Sequence, residues 1–503
     1  MSKHREILFG PPGCGKTTQL LRIVEGAIDS GFAPDQICFI AFTRKAANEA
    51  RERACEKFKL FPEQLPWFRT LHSLAFQQLQ LTRQNVMGMR DYFALCEILR
   101  ISITTKGLAE DGTFTGMTKG DRLFFMENMA RAKMVPLREY WEQSEDDLYW
   151  YELERLHNAL VTYKQKNDKR DFTDIITLFS EGQGDVPDCR VLIVDEAQDL
   201  SPLQWQMVDR IHDKVERTFI AGDDDQAIFR WAGADIEHII NLSGERRVLD
   251  QSYRIPESVQ TIATTISGRI TTRVNKTWKA RDAVGQVAYE TSLDHVDMSS
   301  GTWLLLARNG FLLDQYVRHC LQEGFVFESL VGSPLRTEAF KAIRAWETLI
   351  TGGKVSAAHA KLAYEFLASR DGVAHGFKGK FSDCPDREMV DWQILHDKYG
   401  LVTKKPWQEA LTKITPEEAE YFEAAIRRGE KIGHEPRIKI STIHGAKGGE
   451  AENVVVMTDM AERTWREFQE QPDDEHRVWY VAVTRAKERL IILSPQTNRC
   501  YDL

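Results

Sequence analysis

Ile7-Leu8-Phe9-Gly10-Pro11-Pro12-Gly13-Cys14-Gly15-Lys16-Thr17-Thr18 decides how the rest of the chain is read. An apolar run stops at a glycine-rich turn, and an amphipathic stretch from Lys16 to Ser30 follows, closed by Gly31. Strand, then GxxxxGK[ST], then helix is the pattern of a phosphate-binding loop. The glycines let the backbone curl so that successive N–H groups face one centre, and the helix adds the positive end of its dipole. In this reading Gly10 to Thr18 cradle the phosphates of a nucleotide, Lys16 holds the β- and γ-phosphates, and the Thr17 hydroxyl holds Mg²⁺. The motif predicts a parallel α/β sheet with a nucleotide at one strand end.

Working outward, the next informative run is Arg190-Val191-Leu192-Ile193-Val194-Asp195-Glu196-Ala197-Gln198-Asp199. Four apolar residues in a row suit a strand buried on both faces of a parallel sheet. Asp195 at its end is placed to bind the Mg²⁺ shell, and Glu196 to polarise the attacking water. Such an acid pair also opens ordinary helices; beside the phosphate loop the metal reading prevails.

The chain has 503 residues, 42% of them hydrophobic and 28% charged, enough for about three or four structural units. No apolar stretch approaches the roughly 18 to 20 residues of a membrane span, and Met1 to Arg5 run straight into the first strand, leaving no room for a signal peptide. Eight cysteines, including Cys14, are scattered without a CxxC pair, as expected of reduced cytoplasmic thiols rather than a zinc or iron–sulfur centre. A net charge of -9 excludes a protein coated in basic charge, so any nucleic acid must lie in a local groove.

Strand-like and helical runs alternate at Glu6–Phe9, Lys16–Ser30, Gln36–Phe42 and Arg44 to about Lys59, which is βαβα order. A helix-rich stretch then intervenes before strands resume at Val191 and Arg217–Ala221. A second alternating region starts near Arg247, is interrupted from about Gly352 to Gly433, and resumes with strand-like Arg437–Thr442, Asn453–Met457 and Arg489–Leu493. The simplest organisation is two α/β cores, each carrying a mainly helical insertion. Its expected bounds are 1–75 and 170–248 for the first core with 76–169 inserted, and 249–350 and 434–503 for the second with 351–433 inserted.

Several runs suit nucleic acid. Phe42, Thr43 and Arg44 at a strand end offer an aromatic, a hydroxyl and a cation to a phosphate backbone, and His72 in LHSLAF (71–76) adds a donor. In GDDDQAIFRWAGA (222–234) three acids and a glutamine end a strand and two aromatics follow. Gln226 is placed to sense a γ-phosphate while Phe229 and Trp231 present faces to bases; aromatics at this spacing also fill cores. The locally basic Tyr163–Arg170 reads as a solvated linker before it reads as a nucleic-acid contact.

GPPGCGKT, AFTRKAA, LHSLAF, VDEAQD, GDDDQAIFRWAGA, LDQSYR, TIHGAKGGE and YVAVTRAK stand in the order and approximate spacing of the superfamily 1A helicase motifs, so the chain resembles the UvrD/Rep/PcrA family over nearly its whole length. The resemblance implies two RecA-like cores and a 3′ to 5′ DNA helicase or single-strand translocase. Its partners would be single-stranded DNA, single/double-strand junctions, and replication or repair proteins. It further implies that Tyr253 stacks on adenine and that Arg254 and Arg485 reach the γ-phosphate. Glu450 would contact the ribose, and Thr442, His444 and Lys447 would face DNA from the second core. An ATP-gated single-strand-binding switch that never separates strands uses the same motifs, as does a motor running on RNA.

Departures from the family pattern are Ala232 where arginine is common, Gly449 where leucine is usual, and a small second insertion. The usual adenine-recognising glutamine motif lies upstream of the loop, where only nine residues precede Gly10.

Overall fold

A computed structural model describes residues 4–104, 113–114, 116, 118–329, 337–368, 372–430 and 435–503. It divides into two compact units, Met1–Val284 with Glu470–Val481, and Gly285–Gln469 with Ala482–Leu503.

In the first unit the sheet contains β1 (His4–Phe9), β2 (Ile37–Ile40), β3 (Phe68–Arg69), β4 (Val191–Val194), β5 (Arg217–Gly222) and β6 (Glu245–Val248). Their order is β3-β2-β4-β5-β1-β6, and every pairing is parallel. The strand period of two splits each apolar run between two cores. Ile7 and Phe9 pack on one face with Leu192, Val194 and Ile220. Leu8 packs on the other with Val191, Ile193 and Ala221. Continuous apolar strands are what two covered faces require. The registers Phe9↔Gly222 and Val194↔Ile220 bring the ends of β1, β4 and β5 to one edge, so the loops leaving them meet there. That edge is where open parallel sheets bind ligands.

The first insertion is mainly helical, with Met89–Leu99, Lys119–Ala132, Leu137–Glu142 and Trp150–Asn167 closing over Tyr92, Leu95, Phe124 and Leu156. Arg131 and Lys164 both pair with Asp171 and Asp174, tying the insertion to the helix Phe172–Ser180 of the core. The basic run Tyr163–Arg170 is the end of a helix and the turn after it, with Tyr163 and Lys169 both on Asp91. Tyr163, Lys164 and Lys169 are thus committed to contacts within the fold.

The second unit has β7 (Gln286–Glu290), β8 (Trp303–Ala307), β9 (Phe327–Ser329), β12 (Ile438–Thr442), β13 (Ala451–Met457) and β14 (Ala486–Leu493), all parallel in the order β7-β14-β13-β8-β12-β9. Its insertion is helical around Tyr364 and Phe422, which pack with Trp346 of the preceding helix Thr337–Ile350, and holds one antiparallel pair of β10 (Val355–Ser356) and β11 (Met389–Val390). The insertion's expected end at 433 lies outside the described residues. Among the described residues no helix is long and apolar enough to cross a membrane.

One boundary differs from the sequence expectation. Residues 249–284, assigned above to the second core, pack with the first unit. Leu249 N–H donates to the Phe9 carbonyl at 2.7 Å, so the segment continues from the edge strand β6 across the end of β1.

Candidate functional site

The phosphate loop joins β1 to the helix Lys16–Asp29. Gly13 and Gly15 adopt φ of 70° and 78°, the left-handed region that glycine enters without steric cost. At Gly13 the need is doubled, because a Cβ there would sit 2.3 Å from Cβ of Arg254. Gly10 is equally tight, since its Cβ would meet the buried Cys14 Sγ at 2.4 Å.

Lys16 is buried and donates to the carbonyls of Gly10 at 2.9 Å and Pro11 at 3.4 Å. Burial works against its charge, but Cys14, Asp223, Glu196 and Asp195 outweigh burial and hold the ammonium above its ordinary pKa. Across the sheet edge the Thr17 hydroxyl donates to Asp195 Oδ2 at 2.9 Å. Burial and the neighbouring Glu196 push the Asp195 carboxyl up to about 6, against the help of Thr17 and Lys16. These residues fit a divalent cation. A hydroxyl and a carboxylate stand together, and the carboxylate holds its charge poorly until a cation compensates the burial.

Glu196 has a φ of 55°, unusual for a side-chain-bearing residue, at the turn after β4. Strained backbone of this kind persists where the surroundings over-determine it. Here the Glu196 N–H donates to Asp195 Oδ1 at 3.0 Å, and the Gln198 side chain donates to the Glu196 carboxylate. Gln198 also accepts from Asp223 N–H at 3.0 Å, linking the loops that follow β4 and β5.

The loop after β5 runs from nucleotide side to aromatic side within a dozen residues. Asp223, Asp224 and Asp225 are fully buried, and Gln226 Nε2 donates to Asp223 Oδ2 at 2.6 Å. Phe229 follows, its ring stacked on Phe42 with centroids 6.0 Å apart. Trp231, 47% exposed, stacks on Phe125 of the first insertion at 6.3 Å and lies edge-on to Phe229 at 6.4 Å. Phe42, Phe229 and Trp231 line one cavity of about 170 Å³ together with His72, Asn128 and Thr173. It is an apolar pocket with polar groups at its edge, a form that receives flat rings. Thr43 does not join it: its hydroxyl caps the next helix by accepting from Ala46 N–H at 3.1 Å, while Arg44 is exposed.

Tyr253 and Arg254 stand beside the phosphate loop. Tyr253 N–H donates to the Gly13 carbonyl at 2.8 Å and its ring is 73% exposed, available for stacking. The buried Ser252 hydroxyl donates to the Pro12 carbonyl at 2.7 Å and accepts from Ile255 N–H at 3.1 Å.

Residues 3–246 match the UvrD/REP helicase N-terminal domain, and residues 404–497 match the UvrD-like helicase C-terminal domain. The chain belongs to the UvrD/Rep helicase family. It is 25% identical over 299 residues to the ATP-dependent DNA helicase PcrA of Leuconostoc citreum, covering 56% of this chain and 40% of that protein. It is 26% identical over 301 residues to the protein of the same name from Bacillus subtilis (strain 168), again covering 56% and 40%. The match thus spans two-fifths of these relatives' length.

In the second unit of this UvrD/Rep chain, Arg485 is buried and donates to the Gly449 carbonyl at 3.2 Å. Glu450, exposed, pairs with Lys487 at 2.5 Å. Thr442 closes the turn after β12 by accepting from Gly445 N–H at 3.2 Å, with His444 and Lys447 half-buried on that turn. Sequence reasoning missed Ser252, Gln198, Phe125 and three cations of the first unit, Arg273, Lys276 and Arg477, that wrap the Asp223–Asp225 run. The available signal was the acid run itself, because three consecutive buried carboxylates demand partners.

Proposed function

We propose that this chain is an ATP-driven motor on single-stranded DNA that steps 3′ to 5′ and separates strands at single/double-strand junctions. The observation that carries the reading is the continuity of Gly222 to Gly233: its start lies with Lys16 and the Glu196 loop, and its end supplies Phe229 and Trp231 to the aromatic pocket. A change at the nucleotide is therefore felt within a few residues by the surface that would stack bases. The names of the PcrA relatives supply ATP and DNA as the natural pair to test.

In this reading Tyr253 stacks on the adenine, the loop N–H groups and Lys16 bind the phosphates, and Glu196 takes the proton of the attacking water. Arg254 and Arg485 meet charge on the γ-phosphate, where a permanently charged planar guanidinium acts best. Thr17 and Asp195 would hold Mg²⁺, which supplies charge neutralisation on the phosphates when bound. Glu450 contacts the ribose, and Arg44, Thr442, His444 and Lys447 contact the DNA backbone.

The test is ATP and GTP turnover without polymer and with 3′-tailed, 5′-tailed and blunt DNA and RNA, followed by strand separation on the same tailed duplexes. DNA-stimulated ATP hydrolysis with unwinding of the 3′-tailed duplex is expected. Stimulation without unwinding would make the protein an ATP-gated switch, and stimulation by RNA alone would overturn the choice of track.

A further inference from the structure

Three carboxylates in a row, Asp223, Asp224 and Asp225, have no exposure at all. Burying them is tolerable only with cations and donors arranged around them. Arg273 grips Asp225 with two parallel bonds of 2.7 and 2.6 Å. Val274 N–H donates to Asp224 Oδ2 at 2.7 Å, and Arg477 donates to the Asp224 carbonyl at 2.9 Å. Lys276, its side chain wholly buried, is the shared partner: it contacts Asp224 closely and reaches Asp223 Oδ1 and Asp225 Oδ2, each at 3.0 Å.

The consequences of losing Lys276 are unequal. Asp225 keeps its bidentate arginine and Asp224 keeps a backbone donor. Asp223 loses the cation that contacts it, and the other cation holding its charge is Lys16 of the phosphate loop. Asp223 is also the acceptor that fixes Gln226 Nε2. An uncompensated Asp223 would turn toward Lys16, drawing that ammonium away from phosphate and releasing Gln226 from its orientation.

We infer that Lys276 is a positioning residue for nucleotide hydrolysis, acting through Asp223 on Gln226 and Lys16. The inference rests on the reading that this chain hydrolyses ATP at Lys16. It assigns a role in turnover to a lysine 50 residues beyond the glutamine it orients, outside the eight motifs.

The test is a double-mutant cycle on the full chain, reading DNA-stimulated kcat, KM for ATP and the melting midpoint. Lys276→Met should lower kcat by about tenfold to a hundredfold, as misplacement of a distant support does. In a Gln226→Ala background the same substitution should lower kcat by clearly less than it does in the wild type, because the Gln226 branch is already lost and only the Lys16 branch remains. Lys276→Met/Asp224→Asn restores the charge balance of the cluster and keeps the comparison usable if Lys276→Met alone melts too low to assay. It should melt near the wild type while kcat stays at least about tenfold down. Recovery of kcat together with melting, or full additivity with Gln226→Ala, would overturn the inference and leave Lys276 as a charge neutraliser. Wild-type turnover that is absent, or that survives Lys16→Ala, would instead sink the underlying reading, and the inference with it.

Discussion

Asp195→Asn should remove function and add stability, with a pH dependence fixed by the site. The Asp195 carboxyl is raised from 3.8 to about 6 because burial and Glu196 disfavour its charge. Between those values the folded state binds more protons here than the unfolded chain, so this residue's contribution to stability falls as pH rises through that window. Roughly two pKa units at about 1.4 kcal/mol each make the loss close to 3 kcal/mol by pH 8. Asparagine carries no such charge. It also faces two donors, the Thr17 hydroxyl and Glu196 N–H, with a single oxygen, a pH-independent cost of about 1 kcal/mol. The stability of Asp195→Asn relative to wild type should therefore climb by roughly 2 to 2.5 kcal/mol from pH 4 to pH 8 in the absence of nucleotide and Mg²⁺, starting slightly below zero. Urea denaturation at five or six pH values, followed by tryptophan fluorescence, measures it. A difference that stays flat across that range, or that falls as pH rises, would refute the argument that Asp195 is a buried acid waiting for a cation.

Other consequences follow from named contacts. Lys16→Ala should abolish ATP turnover and leave nucleotide-free affinity for single-stranded DNA within about twofold, measured by steady-state hydrolysis and fluorescence anisotropy, since the aromatic pocket does not touch that side chain. Trp231→Ala should weaken single-strand affinity by about 1 to 3 kcal/mol with little change in melting, because a half-exposed ring contributes little to the core; unchanged affinity would return Trp231 to a packing role. Gly13→Ala forces a Cβ into Arg254 at a left-handed φ, and should cost more than about 1 to 2 kcal/mol of stability in thermal melting and most of the ATP affinity by calorimetry.

What the sequence made legible was local. Val191–Val194 and Trp303–Ala307 announce central strands because both faces of a parallel sheet must be apolar, and the phosphate loop announces itself because its glycines are needed by backbone geometry at fixed spacing. The edge strands of the first unit were not legible. Glu245–Val248 is exposed at every position and pairs on one side only, so no apolar pattern marks it, and Phe68–Arg69 is too short to have a period. The packing of 249–284 with the first unit was not legible for a related reason. Residues 249–284 join the first unit through backbone and side-chain hydrogen bonds to Phe9, Pro12 and Gly13 and through the Lys276 cluster, all contacts between positions far apart in the chain. The stacking of Phe125 on Trp231 was equally invisible, since a partner more than a hundred residues away leaves no local trace.

If nucleotide and single-stranded DNA are coupled through the Gly222–Gly233 run, one linkage measurement shows it most directly. The affinity for a fluorescent single strand is measured with and without Mg²⁺ and a non-hydrolysable ATP analogue, and the analogue's affinity with and without the strand. The two ratios should agree and fall between about fivefold and 150-fold, as coupling free energies of about 1 to 3 kcal/mol require. Identical affinities in the presence and absence of the second ligand would contradict it.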